Sequence, residues 1–460
     1  MPNGISILDM AKMKSKTVYL CSACGDDHPK WNGQCPSCNE WGTLSEYKVS
    51  NKKKFQKNGI KKDSQTLEDI LIRDESKRLS VGIPEMDRVL GGGLLSGTLI
   101  LLGGNPGIGK STLALQILPA FDQSVLYISA EESESQVGIR AKRLGVNSKN
   151  LHLSSENNID SILDQISIIH PKLVVIDSIQ TVFSDELDSL PGSVSQIREC
   201  GQRLLQLAKQ ENISVMIIGH VTKEGIIAGP KMLEHMVDTV LYLEGDDRYD
   251  HRILRSVKNR FGTTNEVGIF QMEEKGLIEV NNPSELFLSE RQNDITGSAI
   301  FSSLEGSRPI LLEIQALVSN ANFGTPQRNV NGFDYKRLAM LLAVLEKRLG
   351  ILMGTKDVFI NLVGGLKVND PAADLSVISA VASSANNKLI SESVVLIGEV
   401  GLGGEVRSVN GLNMRIKEAE SLGFKHVIAP NSSVNRITTD SKKIKITGVS
   451  NVNEAFQKLF

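Results

Sequence analysis

Gly103-Gly104-Asn105-Pro106-Gly107-Ile108-Gly109-Lys110-Ser111-Thr112 decides the fold of this chain. From Gly104 it spells G-x-x-x-x-G-K-[ST], the phosphate-binding loop. Thr98-Leu99-Ile100-Leu101-Leu102 runs into it as an apolar strand, and Leu113-Ala114-Leu115-Gln116-Ile117 leaves it as the start of a helix. Strand, glycine-rich turn and helix are the context the motif requires. The glycines let successive N–H groups turn inward around phosphate oxygens. The helix start adds partial positive charge. Lys110 is placed to reach the β- and γ-phosphates, and the Ser111 hydroxyl suits Mg²⁺. The run from Gly104 to Thr112 is therefore the expected ATP site.

Outward from the loop, apolar strands and helices alternate. Upstream, Leu79 to Gly97 holds a glycine-rich turn that feeds the first strand. Downstream come Val125-Leu126-Tyr127-Ile128, Leu173-Val174-Val175-Ile176 and Val215-Met216-Ile217-Ile218. Near-continuous apolar runs separated by helical segments predict a parallel sheet covered on both faces, an α/β fold. Val194 to Gln210 has clear helical periodicity, and Cys200 within it reads as a buried structural thiol. Such sheets bind ligands at the ends of their strands. Asp177 follows Leu-Val-Val-Ile and suits the second carboxylate that holds Mg²⁺, directly or through water. Glu131 and Glu132 follow Tyr-Ile-Ser-Ala, and one of them can activate the attacking water. His220 follows Met-Ile-Ile-Gly, where it can sense the γ-phosphate. Helix capping is the competing explanation for an isolated acid at a strand end.

The whole chain has 460 residues, 40% hydrophobic and 23% charged, with a formal net charge of −2. That length calls for about two or three domains. The near-zero charge confines any nucleic-acid surface to a local patch. No apolar run has the length of a membrane span, and Met1 to Lys16 lacks the apolar core of a signal peptide. A cytoplasmic location and a reducing environment are expected, where clustered cysteines suggest metal.

Four of the five cysteines form two C-x-x-C knuckles, Cys21/Cys24 and Cys35/Cys38, ten residues apart. This spacing suits one Zn²⁺ held by four thiolates, with a redox dithiol pair as the alternative. A module this small needs the metal for stability. His28 lies between the knuckles and is expected at the surface. Trp31 and Trp41 are expected to pack on the module, or one of them to stack on a base. From Lys48 to Asp63 the chain is lysine-rich and poor in apolar residues, a basic linker.

The run from Asp87-Arg88-Val89-Leu90 through Gly109-Lys110-Ser111-Thr112, the Tyr-Ile-Ser-Ala-Glu-Glu-Ser strand end and Leu-Val-Val-Ile-Asp-Ser resemble the RecA-like ATPases. The four-cysteine module and Lys258-Asn259-Arg260-Phe261-Gly262 narrow the resemblance to the bacterial RadA (Sms) family of DNA repair proteins, over Thr17 to Phe460. That resemblance implies that Glu131 is the catalytic glutamate. It also implies that Lys258 and Arg260 are basic fingers reaching the nucleotide of a neighbouring subunit, where a cation stabilises the transferring phosphoryl group. The glycine-rich segment 221–231, with Lys223 and Lys231, matches in position the DNA-binding loop of RecA-like proteins. An ordinary long connection is the alternative.

The third part opens with strands such as Ile310 to Val318, followed by an amphipathic helix from Asp334 to Leu349. Its later segments resemble the Lon protease domain. Where that family carries its serine, this chain has Asp370-Pro371-Ala372-Ala373-Asp374. Where it carries its lysine, this chain has Gly411-Leu412-Asn413. Neither nucleophile nor activating amine is present at the matching positions. Ser376, Ser379 and Lys367 are the nearby substitutes. Lys367, Arg407, Arg415 and Lys417 suggest instead a surface that faces phosphates, with solvated side chains as the alternative.

The expected architecture is a zinc module (1–48), a basic linker (49–77), a RecA-like ATPase core (78–290) and an α+β Lon-like domain without protease chemistry (291–460). The resemblance implies a DNA-dependent ATPase of recombinational repair that uses ATP, Mg²⁺ and Zn²⁺. It implies a ring, hexameric as in DnaB-type helicases, acting on single-stranded or branched DNA beside the RecA recombinase and away from membranes. The rival is a nucleotide-switched adaptor that regulates a recombinase without translocating.

Overall fold

A computed structural model of the chain describes residues 16–21, 27–37, 39–49, 78–220, 232–245, 250–264, 266–289, 291–292, 294–321, 325–435, 437 and 443–460. Cys24, Cys38, Lys223, Lys231 and nearly all of the linker lie outside these residues. Two compact units divide the chain. One comprises Met1–Glu244, Leu254–Thr264 and Met272–Ile278, the other Gly245–Ile253, Asn265–Gln271 and Glu279–Phe460.

The N-terminal module is a small antiparallel sheet in the order β2-β1-β3, built from β1 (Lys16–Cys21), β2 (Asp27–His28) and β3 (Leu44–Val49). Its apolar interior is slight: Cys21, Cys35 and Leu44 are buried, with Tyr19 packed against them. A core of that size does not hold a fold by itself. Both tryptophans lie at the surface of this module. Trp31 is 59% and Trp41 73% exposed, although the Trp31 indole N–H donates to the Leu44 carbonyl at 3.2 Å.

The phosphate-loop sheet contains β4 (Leu99–Gly104), β5 (Val125–Ser129), β6 (Leu151–Ser154), β7 (Leu173–Asp177), β8 (Ser214–His220) and β9 (Thr239–Glu244), continued by β10 (His251–Asn259), β11 (Val267–Glu273) and β12 (Gly276–Glu279). Its order is β12-β11-β10-β9-β4-β8-β7-β5-β6, with parallel pairing from β9 to β6. Every residue of β4, β5 and β7 is buried. A strand covered on both faces has no polar side to show, so its apolar run is continuous. The covering helices are amphipathic. Val194–Glu211 turns Ile197, Cys200, Leu204 and Ala208 inward, is capped by Ser193 through the Gln196 N–H, and ends at Asn212 in the left-handed region. The stripe recurs every three to four residues, as a helix packed on a sheet requires.

Register then assembles the site. Gly104 pairs with His220 across β4 and β8, and Ser129 with Asp177 across β5 and β7. All four residues stand at the C-terminal ends of parallel strands, so the phosphate loop and the candidate acids share one sheet edge.

The second unit holds a mixed sheet in the order β15-β16-β14-β13-β17-β20-β21. Its strands are β13 (Ser298–Glu305), β14 (Arg308–Asn320), β15 (Arg328–Asn331), β16 (Lys356–Leu362), β17 (Val394–Leu396), β20 (His426–Pro430) and β21 (Lys445–Val449). The short pair β18 (Glu399–Val400) and β19 (Val406–Arg407) stands apart from it. The helix Asp374–Asn386 is buried on all sides from Asp374 to Ser383, which marks it as the centre of the core. The helix Tyr335–Leu349 starts where the Asp334 carboxylate accepts the Arg337 N–H at 2.7 Å. No helix among the described residues is long and apolar enough to cross a membrane.

Candidate active site

The loop is fixed by its glycines and by its lysine. Gly104 has φ +154°, and a Cβ there would stand 2.5 Å from the Leu243 carbonyl oxygen, so β9 admits no side chain at the root of the loop. Gly109 has φ +113° and would meet the Met272 methyl at 2.7 Å. The next residue, Lys110, is only 4% exposed. Its ammonium donates to the carbonyls of Gly104 and Asn105, both at 2.9 Å, and so closes the loop on itself. Burial lowers its pKa to about 8, against the pull of the Asp177 and Glu131 carboxylates.

Around the ammonium the groups divide by role. Asp177 is buried, and its Oδ2 accepts from the Tyr127 hydroxyl at 2.5 Å. Glu131 Oε1 accepts from the Ser178 hydroxyl at 2.5 Å and lies 3.5 Å from His220 Nε2. Glu132, the other candidate, is paired with Arg140. Ser111 and Asp177 offer a hydroxyl and a carboxylate, the oxygen donors Mg²⁺ prefers. With the glycine-lined loop and Lys110, these residues fit a nucleoside triphosphate and its magnesium ion.

Lys258 and Arg260 stand elsewhere. Lys258 Nζ donates to the carbonyls of Glu234 at 2.7 Å and His235 at 3.1 Å. Its partial burial and the Arg260 guanidinium lower its pKa. The Arg260 N–H donates to the Asp238 carbonyl at 3.1 Å, and its guanidinium lies 3.8 Å from the Asp238 carboxylate while staying 56% exposed. Asp238 in turn accepts from Lys209 Nζ at 2.7 Å and from the Leu99 N–H at 3.1 Å. Leu99 is the first residue of β4 and Gly104 the last. Six extended residues span roughly 17–20 Å. The basic pair therefore sits at the sheet edge opposite the phosphate loop of its own chain. The rest of that segment is anchored. Asn259 Nδ2 donates to the Leu90 carbonyl at 3.2 Å, Arg78 donates to the Phe261 carbonyl, and Lys209 lies 5.7 Å from the Phe261 ring centroid.

Comparison with known proteins places these parts. The KaiC ATPase family matches residues 79–156, the rubredoxin metal-binding domain of the LapB zinc-ribbon type matches 19–46, and the Lon protease (S16) C-terminal proteolytic domain matches 351–460. The DNA repair protein RadA of Bacillus subtilis (strain 168) is 48% identical over 456 residues, covering 97% of this chain and 99% of that protein. RadA of Aquifex aeolicus (strain VF5) is 46% identical over 454 residues, covering 97% and 100%. The crystal structure of the RadB recombinase covers 44% of this chain and all of its own, at 25% identity and a TM-score of 0.37. The chain belongs to the RadA family.

As in the family resemblance, this RadA-family chain joins a zinc ribbon, a RecA-like ATPase domain and a Lon-type domain. In the zinc ribbon, Cys21 and Cys35 are both fully buried. Cys21 Sγ lies 3.1 Å from the Thr43 hydroxyl and Cys35 Sγ 3.5 Å from His28 Nε2. His28 thus faces a candidate ligand and is only half-exposed. The described residues hold no complete metal cluster, and they include only half of the expected sulfur set.

In the Lon-type domain, the segments where the resemblance places the serine and lysine hold Ala372 and Asn413. Ala372 is fully buried. Ser376 is buried and donates to the Leu396 carbonyl at 2.9 Å, and Ser379 is also fully buried. Lys367 lies at the surface. Arg415 corrects the expectation of a phosphate-facing residue. It is 2% exposed, with NH1 2.6 Å from Asp370 Oδ2 and Nε donating to the Asn410 carbonyl at 2.9 Å. Arg407 is 57% exposed and paired with Glu405. Lys417 is exposed.

Proposed function

We propose that this RadA-family chain is a DNA-dependent ATPase of recombinational repair that works as a ring on single-stranded and branched DNA, alongside a RecA-type recombinase. Gly104 to Thr112 hold ATP, with Lys110 on the β- and γ-phosphates. Ser111 and Asp177 would hold Mg²⁺, which when bound would neutralise charge on the phosphates. Glu131 takes the proton of the attacking water, and His220 reports the γ-phosphate to the segment that follows it. Cys21, Cys24, Cys35 and Cys38 hold Zn²⁺. Segment 221–231, with Lys223 and Lys231, contacts DNA inside the ring. Lys367 and Arg407 offer further phosphate contacts from a Lon-like domain that does not cleave peptides.

The observation that carries the reading is the placement of Lys258 and Arg260 opposite their own phosphate loop, with Arg260 more than half exposed. A cation there serves hydrolysis only from the next subunit, and a head-to-tail ring brings those two edges together. The decisive experiment uses a forked duplex and ATP. The wild type should hydrolyse ATP faster with single-stranded DNA and separate the fork, and Lys110→Ala should do neither while keeping its melting temperature. DNA-stimulated hydrolysis without strand separation would favour the adaptor. Near-normal turnover in Lys110→Ala would overturn the ATP site.

A further inference from the structure

One buried hydroxyl at the nucleotide site has no part in that reading. Tyr127 lies on β5, is 0% exposed, and donates its phenolic hydrogen to Asp177 Oδ2 at 2.5 Å. The register explains the contact. Ser129 is the cross-strand partner of Asp177, and Tyr127 precedes Ser129 by two residues, so its side chain stands on the same sheet face one step below the carboxylate. The Ser111 side chain adjoins the same hydroxyl. Tyr127 thus forms a floor beneath both groups that face the metal side of the phosphates.

The fold alone does not ask for this hydroxyl. A phenylalanine ring would fill the same space without a polar group to desolvate, and a buried phenol is tolerated only where it finds a partner. Here the partner is a carboxylate, which gives a charge-assisted bond stronger than a neutral one. The phenolic hydrogen is committed to Asp177 Oδ2. A carboxylate held by one oxygen loses its freedom to rotate.

We propose that Tyr127 is a positioning residue for ATP hydrolysis: its hydroxyl pins Oδ2 of Asp177 so that Oδ1, together with the Ser111 hydroxyl, is presented to the magnesium ion of the bound nucleotide. Hydrogen bonds to a metal-ligating carboxylate set its orientation, and their loss weakens metal binding. The inference rests on Asp177 being the metal-side carboxylate.

The test uses the full-length protein, Tyr127→Phe and Asp177→Asn, and reads metal binding apart from turnover. Binding of a fluorescent ATP analogue is titrated first in EDTA and then against Mg²⁺, and Mn²⁺ binding in the presence of ADP is followed by electron paramagnetic resonance. Tyr127→Phe should bind nucleotide normally without metal, while its affinity for either ion falls by about 10- to 100-fold. Its kcat should recover substantially at saturating Mg²⁺. An unchanged metal affinity overturns the proposal. So does an equal loss of metal-free nucleotide binding, which would mean the ring only packs. Tyr127→Met, which lacks the hydroxyl but fills much of the space, gives the same measurement if the phenylalanine variant precipitates. Asp177→Asn separates the two levels. If it too leaves metal affinity unchanged, the reading of Asp177 fails. If it alone weakens metal binding, only the role of Tyr127 falls.

Discussion

Lys110 shows how one side chain ties the chemistry to pH. Burial brings its pKa to about 8 from an ordinary 10.5. The folded value is the lower one, so between about pH 8 and 10.5 the unfolded chain binds more protons, and the nucleotide-free protein gains stability as pH rises through that window. A phosphate beside the ammonium favours the charged form and restores the pKa. Nucleotide binding above pH 8 should therefore take up a proton, and binding near pH 6 should not. Calorimetry in buffers of different ionisation enthalpy checks this, with Lys110→Ala showing no uptake at either pH. The neighbouring acids were only partly legible in the sequence. The strand ends marked Asp177 and the Glu131/Glu132 pair as candidates. Which glutamate faces the loop depended on Arg140, a helical residue that pairs with Glu132. Tyr127 was hidden because a tyrosine inside a continuous apolar strand looks like core until its hydroxyl is traced to a partner.

At the scale of elements, the buried ion pairs of the Lon-type domain carry a testable consequence. Asp370 lies in the segment where the resemblance places the protease serine, yet it accepts the Ala372 N–H at 3.0 Å, the Leu304 N–H at 2.9 Å and the Arg415 guanidinium. The segment is therefore built as a structural clamp. Replacing one member of a buried pair strands the other charge, at a cost of about 3–5 kcal/mol. Arg415→Met should lower the unfolding free energy of the C-terminal transition by that amount, read from urea denaturation as the shift in midpoint multiplied by the m-value. A change within experimental error would show that the carboxylate finds water or another donor. The zinc ribbon makes the opposite use of a small core: the wild type should carry one Zn²⁺ per chain, and Cys35→Ser should lose both the metal and the ribbon's protease resistance. Retained equimolar zinc would contradict the site. Strands such as β4, β5 and β7 were legible because burial on both faces leaves an unbroken apolar run. Arg415 was not, because a basic residue in a short helix reads as solvated until the opposing strand is known. The helix that carries Arg415 runs from Leu412 to Ser421, and Gly411 supplies the left-handed residue before it.

The whole molecule is a matter of which edges meet. Lys258 and Arg260 are held at the foot of the sheet by Asp238 and by the carbonyls of Glu234 and His235. The phosphate loop lies at the head. No rotation of these side chains crosses the length of β4, so a basic finger in this fold acts between subunits or not at all. Removing Arg260 should therefore leave ATP affinity nearly intact and reduce turnover by about 10³-fold or more, the usual scale for an arginine that stabilises phosphoryl-transfer charge. Mixing supplies the decisive readout. Arg260→Ala keeps an intact phosphate loop, and Lys110→Ala keeps an intact finger. In a head-to-tail ring assembled at random from equal amounts, about a quarter of the interfaces join the two intact halves. Each parent should be inactive alone, and the mixture should regain turnover in proportion to those interfaces, rising and falling symmetrically as the ratio is varied. If native mass spectrometry shows mixed rings that stay inactive at every ratio, the finger does not act in trans.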